Sequence, residues 1–141
     1  VGKTWSQFST TSYQLRATNH IVELGYVPDS DLPLLMLGSQ ALVLPSLYEG
    51  FGIPVAEAMA VGTPVVVSKV SSLPEIVGDA GILIDPYDVN NLVNGLKQIL
   101  DLTPSNRVKL VRAAQARANR FTWQACAIQT LEVLHEIAFQ R

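Results

Sequence analysis

The sequence predicts an α/β fold built on a Rossmann-like, doubly wound parallel sheet. Three observations predict it. Two short continuous apolar runs, at 41–44 and 65–67, are bounded by Pro and Gly, as expected of parallel strands buried on both faces. Between them lie a Gly-containing turn and an Ala-rich segment closed by Gly62, which reads as strand, loop, helix, strand. A third apolar run, Ile82-Leu83-Ile84, is followed by Val89, Leu92, Val93, Leu96, Ile99 and Leu100 at helical spacing.

The 141 residues suit one domain, within the usual ~100–150. Residues 1–20 are poorly defined: 6–11 is polar and turn-like, and 13–18 is a weak short helix. Ile21-Val22-Glu23-Leu24-Gly25 reads as a strand, and Gly25-Tyr26-Val27-Pro28 as the turn after it. Asp29-Ser30-Asp31 offers helix N-caps, residues 32–37 a short apolar helix, and Gly38 its stop. Residues 63–68 form a buried strand, and Val70-Ser71-Ser72-Leu73-Pro74-Glu75 leads into a single helical turn; Ser71 and Ser72 either cap that turn or, lying on the crevice side in such folds, touch a ligand there. Asp88 caps the helix that starts at Val89. Thr103-Pro104 starts another, with Val108, Val111, Ala114 and Ala118 on one face. Thr122 caps a closing helix over 121–141, with Phe121 as a staple and Ala125, Ile128, Leu131, Leu134 and Ile137 as its stripe.

The chemistry gathers between the first two strands. Glu49 stands just past a strand end, and Glu57 follows eight residues later. Gly50 and Gly52 let the chain turn tightly, and Pro54 suits the first helical position. The N–H groups of Gly52, Ile53, Val55 and Ala56 are then expected to point out of a helix N-terminus, a ready site for phosphate or diphosphate. A carboxylate beside phosphate is unfavourable, so Glu57 is matched to the hydroxyls of a ribose or hexose. Such sheets bind ligands in the crevice outside the C-terminal ends of their strands.

Glu49-Gly-Phe-Gly-Ile-Pro-Val-Ala-Glu57-Ala-Met-Ala-Val-Gly-Thr-Pro-Val-Val resembles the E-x7-E signature of the group 1 family of retaining, nucleotide-sugar-dependent glycosyltransferases. The resemblance runs over about 22–123. It implies half of a GT-B fold, the C-terminal donor-binding domain, from an enzyme that transfers a hexose from a nucleoside diphosphate sugar to an acceptor hydroxyl with retention. It implies that Glu49 is the catalytic-site residue facing the donor sugar. Gly50, Phe51, Gly52, Ile53 and Val55 then hold sugar and phosphates through the backbone, and Glu57 binds the ribose. Tyr26 and Val27 lie in the turn that packs on the base. No metal or cofactor is implied.

The resemblance also sets expectations for what this chain lacks. It starts at Val1-Gly2-Lys3 rather than Met and reads as cut from something longer. The Arg/Lys pair that neutralises the diphosphate, and the acceptor-binding N-terminal domain, are expected before residue 1. The sheet is expected to miss a strand and expose an edge. The chain by itself is expected to bind donor without turnover.

Composition narrows the alternatives. Apolar residues make up 48% and charged residues 16%, enough to fill a core and too apolar for disorder. The net charge of −2 and the lack of a Lys/Arg run argue against nucleic acid. No run approaches the ~18 apolar residues of a membrane span. The single Cys126 gives no disulfide framework, which suits the cytoplasm. His20 and His135 belong to no metal-ligand spacing. Gly2-Lys3-Thr4 could end a P-loop, but no later strand ends in the Asp that would partner it. Arg107, Lys109, Arg112, Arg117 and Arg120 form the most basic segment, read as a solvated face or as peripheral contact with acidic lipid. A sugar-nucleotide epimerase, a binding module without turnover and a lipid-interaction domain remain as other readings.

Overall fold

A computed structural model describes residues 20–139. The predicted features at 2–4, 6–11 and 13–18 lie outside the described residues. Three parallel strands form the sheet: β1 (Leu42–Leu44), β2 (Val65–Ser68) and β3 (Ile82–Ile84), in the order β1-β2-β3. Leu42 pairs with Val65, and Val66 with Ile82.

The helices are α1 (Leu32–Gly38), α2 (Ile53–Val61), α3 (Leu73–Val77), α4 (Val89–Leu100), α5 (Pro104–Ala118) and α6 (Trp123–Phe139). Strands laid down in one direction by crossovers of one hand place α2 and α3 on the same face. That is where the larger core lies: Val65 and Val67 meet Met36 of α1, Val55, Ala58 and Met59 of α2, Leu73, Ile76 and Val77 of α3, and Ala114 and Ala118 of α5. The alternate residue Val66 points the other way and packs with Ile84 and Ile99, flanked by Leu92 and Leu96 of α4. The sheet is therefore covered on both faces, as doubly wound architecture requires.

Three of the sequence-predicted caps hold, whereas Asp31 stands at the N-cap of α1 without a side-chain cap bond. Asp88 Oδ1 accepts from the amides of Asn90 and Asn91 (2.8 and 3.2 Å). Thr103 Oγ1 accepts from the Asn106 amide, and Thr122 Oγ1 from that of Ala125. Thr63 Oγ1, buried, donates to Met36 O at 2.6 Å and ties the end of α1 to the start of β2.

Three expectations are corrected. Residues 21–25 are not a strand, and they are exposed. Among the described residues, β1 has no strand on its outer edge. The basic stripe of α5 is not uniformly solvated. Arg107 and Arg117 are half-buried; Arg107 Nη2 donates to Gln40 O (2.9 Å), Arg117 Nε donates to Ile76 O (2.6 Å), and Arg117 Nη2 to Glu75 O. Phe121 sets its ring edge-on against Phe51 and joins the larger core, so its packing reaches beyond its own helix. Helix α6 buries none of its residues, and Ile128, Leu131, Leu134 and Ile137 are all exposed.

Arg117 closes the C-terminus of α3, whose last carbonyls have no partner within the helix. Gly78 makes room for it: φ is +54°, and a Cβ there would lie 2.7 Å from the guanidinium carbon. Arg117→Ala is expected to cost about 2 kcal/mol, because a charged donor to two carbonyls is lost. Arg117→Lys should recover only part of that, lacking the planar fork. Urea unfolding of the two variants checks both values.

Candidate functional site

All three strands end at the same edge, where loops 45–52, 69–72 and 85–88 meet. Glu49 sits in the first, half-buried. Its carboxylate accepts from Ser46 Oγ at 2.8 Å. Its backbone is held from the neighbouring loop. Ser71 Oγ donates to Glu49 O at 2.6 Å and accepts from Glu49 N–H at 3.3 Å. Ser72 Oγ lies 3.0 Å from Glu49 O and 2.8 Å from Phe51 O, so its single proton is shared across the Gly50 turn. Ser72 occupies the N-cap position of α3, yet its side chain makes no cap bond. The capping role expected for Ser71 or Ser72 is corrected: both hydroxyls turn to a loop more than twenty positions away in sequence.

Gly52 begins α2 in the left-handed region (φ 102°, ψ 45°), and a Cβ there would stand 2.8 Å from Leu73 Cδ2. Only glycine combines that backbone with that contact. The amides of Val55 and Ala56 are not free as expected. Both donate to Gly52 O (2.9 and 3.2 Å), because the helix already turns there. The Val55 side chain is fully buried in the core, so neither its amide nor its side chain is open to a ligand. Among the described residues, the amides of Gly50, Phe51, Gly52 and Ile53 have no such partner.

The structure therefore brings Glu49, Gly50, Phe51, Gly52 and Ile53 into one loop at the sheet edge. The Phe51 ring packs edge-on with Phe121 at a centroid distance of 5.6 Å, and the residue remains 42% exposed. Glu57 lies on the exposed side of α2. Tyr26 is exposed and Val27 half-buried in the segment before α1; no hydrogen bond joins them to the glutamate loop among the described residues. No group of three or more metal-ligating side chains occurs among the described residues. No helix among them is long and apolar enough to cross a membrane.

Across the other two loops Lys69 Nζ meets Asp85 Oδ2 at 2.9 Å. The Lys69 N–H donates to Ile84 O (2.7 Å), carrying the β2–β3 ladder one residue further. The hydrogen bond from Lys69, helped by the Tyr87 amide, holds the Asp85 carboxyl below its usual range against a small opposing effect of desolvation. Sequence reasoning missed Ser46 and this pair. Ser46 was findable, because its position three residues before Glu49 suits a turn contact. The pair joins two strand ends, which no local pattern reveals.

A Rossmann-like α/β domain with its open backbone and carboxylate at the C-terminal edge of the sheet is the class this geometry defines. The chain belongs to the group 1 glycosyltransferases, matching the family model "Glycosyl transferases group 1" over residues 1–117, and corresponds to their GT-B C-terminal domain. It is 47% identical over 108 residues to O-antigen chain mannosyltransferase B of Escherichia coli, covering 77% of this chain and 28% of that protein. It is 38% identical over 122 residues to a glycogen synthase of Mycobacterium tuberculosis, covering 84% of this chain and 28% of that protein. Sucrose-phosphate synthase from Thermosynechococcus elongatus superposes with a TM-score of 0.78 at 28% identity, over 93% of this chain and 33% of that one. Anabaena HepE, solved in complex with UDP and glucose, gives 0.75 at 27% identity, over 92% of this chain and 36% of that one. The chain thus spans about a quarter to a third of these proteins.

Because the folded-state pKa of Asp85 is lowered, its ion pair contributes stability above the ordinary carboxylate pKa of ~4, and this is lost as pH falls through the lowered value. Asp85→Asn is expected to be less stable than wild type at neutral pH, with the gap narrowing only in strong acid. Thermal unfolding of both proteins from about pH 6 to about pH 2 reads that convergence.

Proposed function

We propose that this domain binds a nucleoside diphosphate sugar, and that the protein carrying it transfers the hexose to an acceptor hydroxyl with retention. One observation carries the reading: a fixed glutamate and four amides without partners share one loop at the ligand-binding edge of the sheet. Gly50, Phe51, Gly52 and Ile53 direct N–H groups at the diphosphate, adding to the positive end of α2. Glu49 orients the donor sugar. Glu57 takes the ribose hydroxyls, since hydroxyls, unlike phosphates, donate to a carboxylate. The backbone near Val27 packs on the base.

The chemistry asked of this half of the enzyme is electrostatic. As the glycosidic bond breaks, charge gathers on the leaving diphosphate, and pre-aligned amides stabilise it without reorganising. The reading calls for no metal and no cofactor. The acceptor is held by parts of the protein outside this domain. Membership of the group 1 glycosyltransferases favours transfer over epimerisation. The UDP and glucose in the HepE complex support a nucleotide-sugar ligand for a protein of similar fold.

Calorimetric titration with UDP, GDP and ADP, and with their hexose conjugates, tests the proposal. One nucleotide is expected to bind, and Glu57→Ala to weaken it by about tenfold, the loss of a charge-assisted hydrogen bond. A well-folded protein that binds none of the six, or a Glu57→Ala variant that binds as wild type does, sinks the donor reading or the role of Glu57 respectively.

A further inference from the structure

We propose that Ser71 and Ser72 are positioning residues for donor binding: their hydroxyls set the backbone of the Glu49 loop and, through it, the direction of the amides at 50–53. The inference rests on the donor reading above and adds what aims that site.

Apart from the Phe51 ring against Phe121, the loop has little else to hold its middle. Leu47 and Tyr48 are exposed, and nothing lies within 4 Å of where a Gly50 Cβ would be. The two ends are fixed, by Ser46 on the Glu49 carboxylate and by Leu73 beneath Gly52. Between those ends, the Glu49 and Phe51 carbonyls are held by the two serine hydroxyls. A peptide carbonyl and the next residue's N–H lie in one plane, pointing opposite ways. Fixing the carbonyls of Glu49 and Phe51 therefore fixes the amides of Gly50 and Gly52.

Ser71 carries a second sign of this task. Its φ of 58° is the only positive value at a non-glycine among the described residues. A side chain in that region costs roughly 1 kcal/mol or more. Glycine would remove the strain and lose the hydroxyl. Serine keeps the strain together with two hydrogen bonds to one residue, Glu49.

That opposition separates positioning from plain stability. Ser71→Gly is expected to melt at or above the wild-type temperature and yet bind the nucleotide more weakly by about fivefold or more, because both hydrogen bonds to Glu49 are lost. Ser72→Ala should weaken binding by a similar factor, and Ser72→Thr should restore it. In the unliganded protein, NMR order parameters of the Gly50 amide should fall in Ser71→Gly, and those of the Gly50 and Gly52 amides in Ser72→Ala. Wild-type affinity in both variants, or unchanged order at both amides, overturns the proposal. If the wild type itself binds no nucleotide, the donor reading falls and the positioning role with it; a drop in order then leaves only a loop brace.

Discussion

Strand β2 leaves no side for water. It is the middle strand, paired on both edges, and Val65, Val66, Val67 and Ser68 are fully buried. Two opposed faces must therefore be covered, and each buried Val contributes about 2 kcal/mol only if they are. Val65 and Val67 require the α2, α3 and α5 layer; Val66 requires α4. Parallel pairing forces every return crossover to start again from the same end of the sheet. The loops after β1, β2 and β3 are thus gathered at one edge, and Glu49, Ser71, Lys69 and Asp85 become neighbours there though they span 37 positions of sequence. The site is a consequence of how β2 is buried.

What the sequence made legible was the local part of this. The continuous Val run marks a strand with two buried faces, and the caps at Asp88, Thr103 and Thr122 lie within three residues of the amides they satisfy. Apart from the Val55 and Ala56 amides and the Asp31 cap, the failures are non-local. Ile21-Val22-Glu23-Leu24-Gly25 has strand composition yet forms no strand, because a ladder is set by what the fold brings alongside, which composition does not carry. Ser72 sits at an N-cap, so its hydroxyl has a local bond on offer, and the Glu49 and Phe51 carbonyls outcompete it. Arg107 and Arg117 read as surface charge until the fold brings carbonyls 67 and 41 positions away within reach. A short hydroxyl or a guanidinium bonds whichever acceptor the fold presents, and that choice is made in three dimensions.

The candidate site divides along the same line. The E-x7-E spacing names Glu49 and Glu57, and glycine at position 52 follows from its backbone angle. How the loop is aimed is not in the motif. It depends on Ser71, Ser72 and Leu73 from the next crossover, and on Phe121 from the chain leading into α6. Phe51 illustrates the difference. As a motif residue it reads as part of the ligand surface, and the fold adds a second role: its ring also packs on Phe121, which ties the loop to the chain leading into α6.

Charge sets the remaining condition on the proposed function. The three edge loops hold one cation, Lys69, against three carboxylates, Glu49, Asp85 and Asp88. Lys69 is committed to Asp85. Asp88 caps α4, and Glu49 accepts from Ser46. The N-terminus of α2 adds the equivalent of roughly half a positive charge, far short of a diphosphate. These loops can therefore supply aligned donors but not counter-charge. For a nucleoside diphosphate sugar to sit here, the neutralising cations must come from outside loops 45–52, 69–72 and 85–88. On the proposed function, the loops' own part is to keep their amides pointed at the leaving group while those cations hold it, so the rigidity of the Glu49 turn would matter more than its charge.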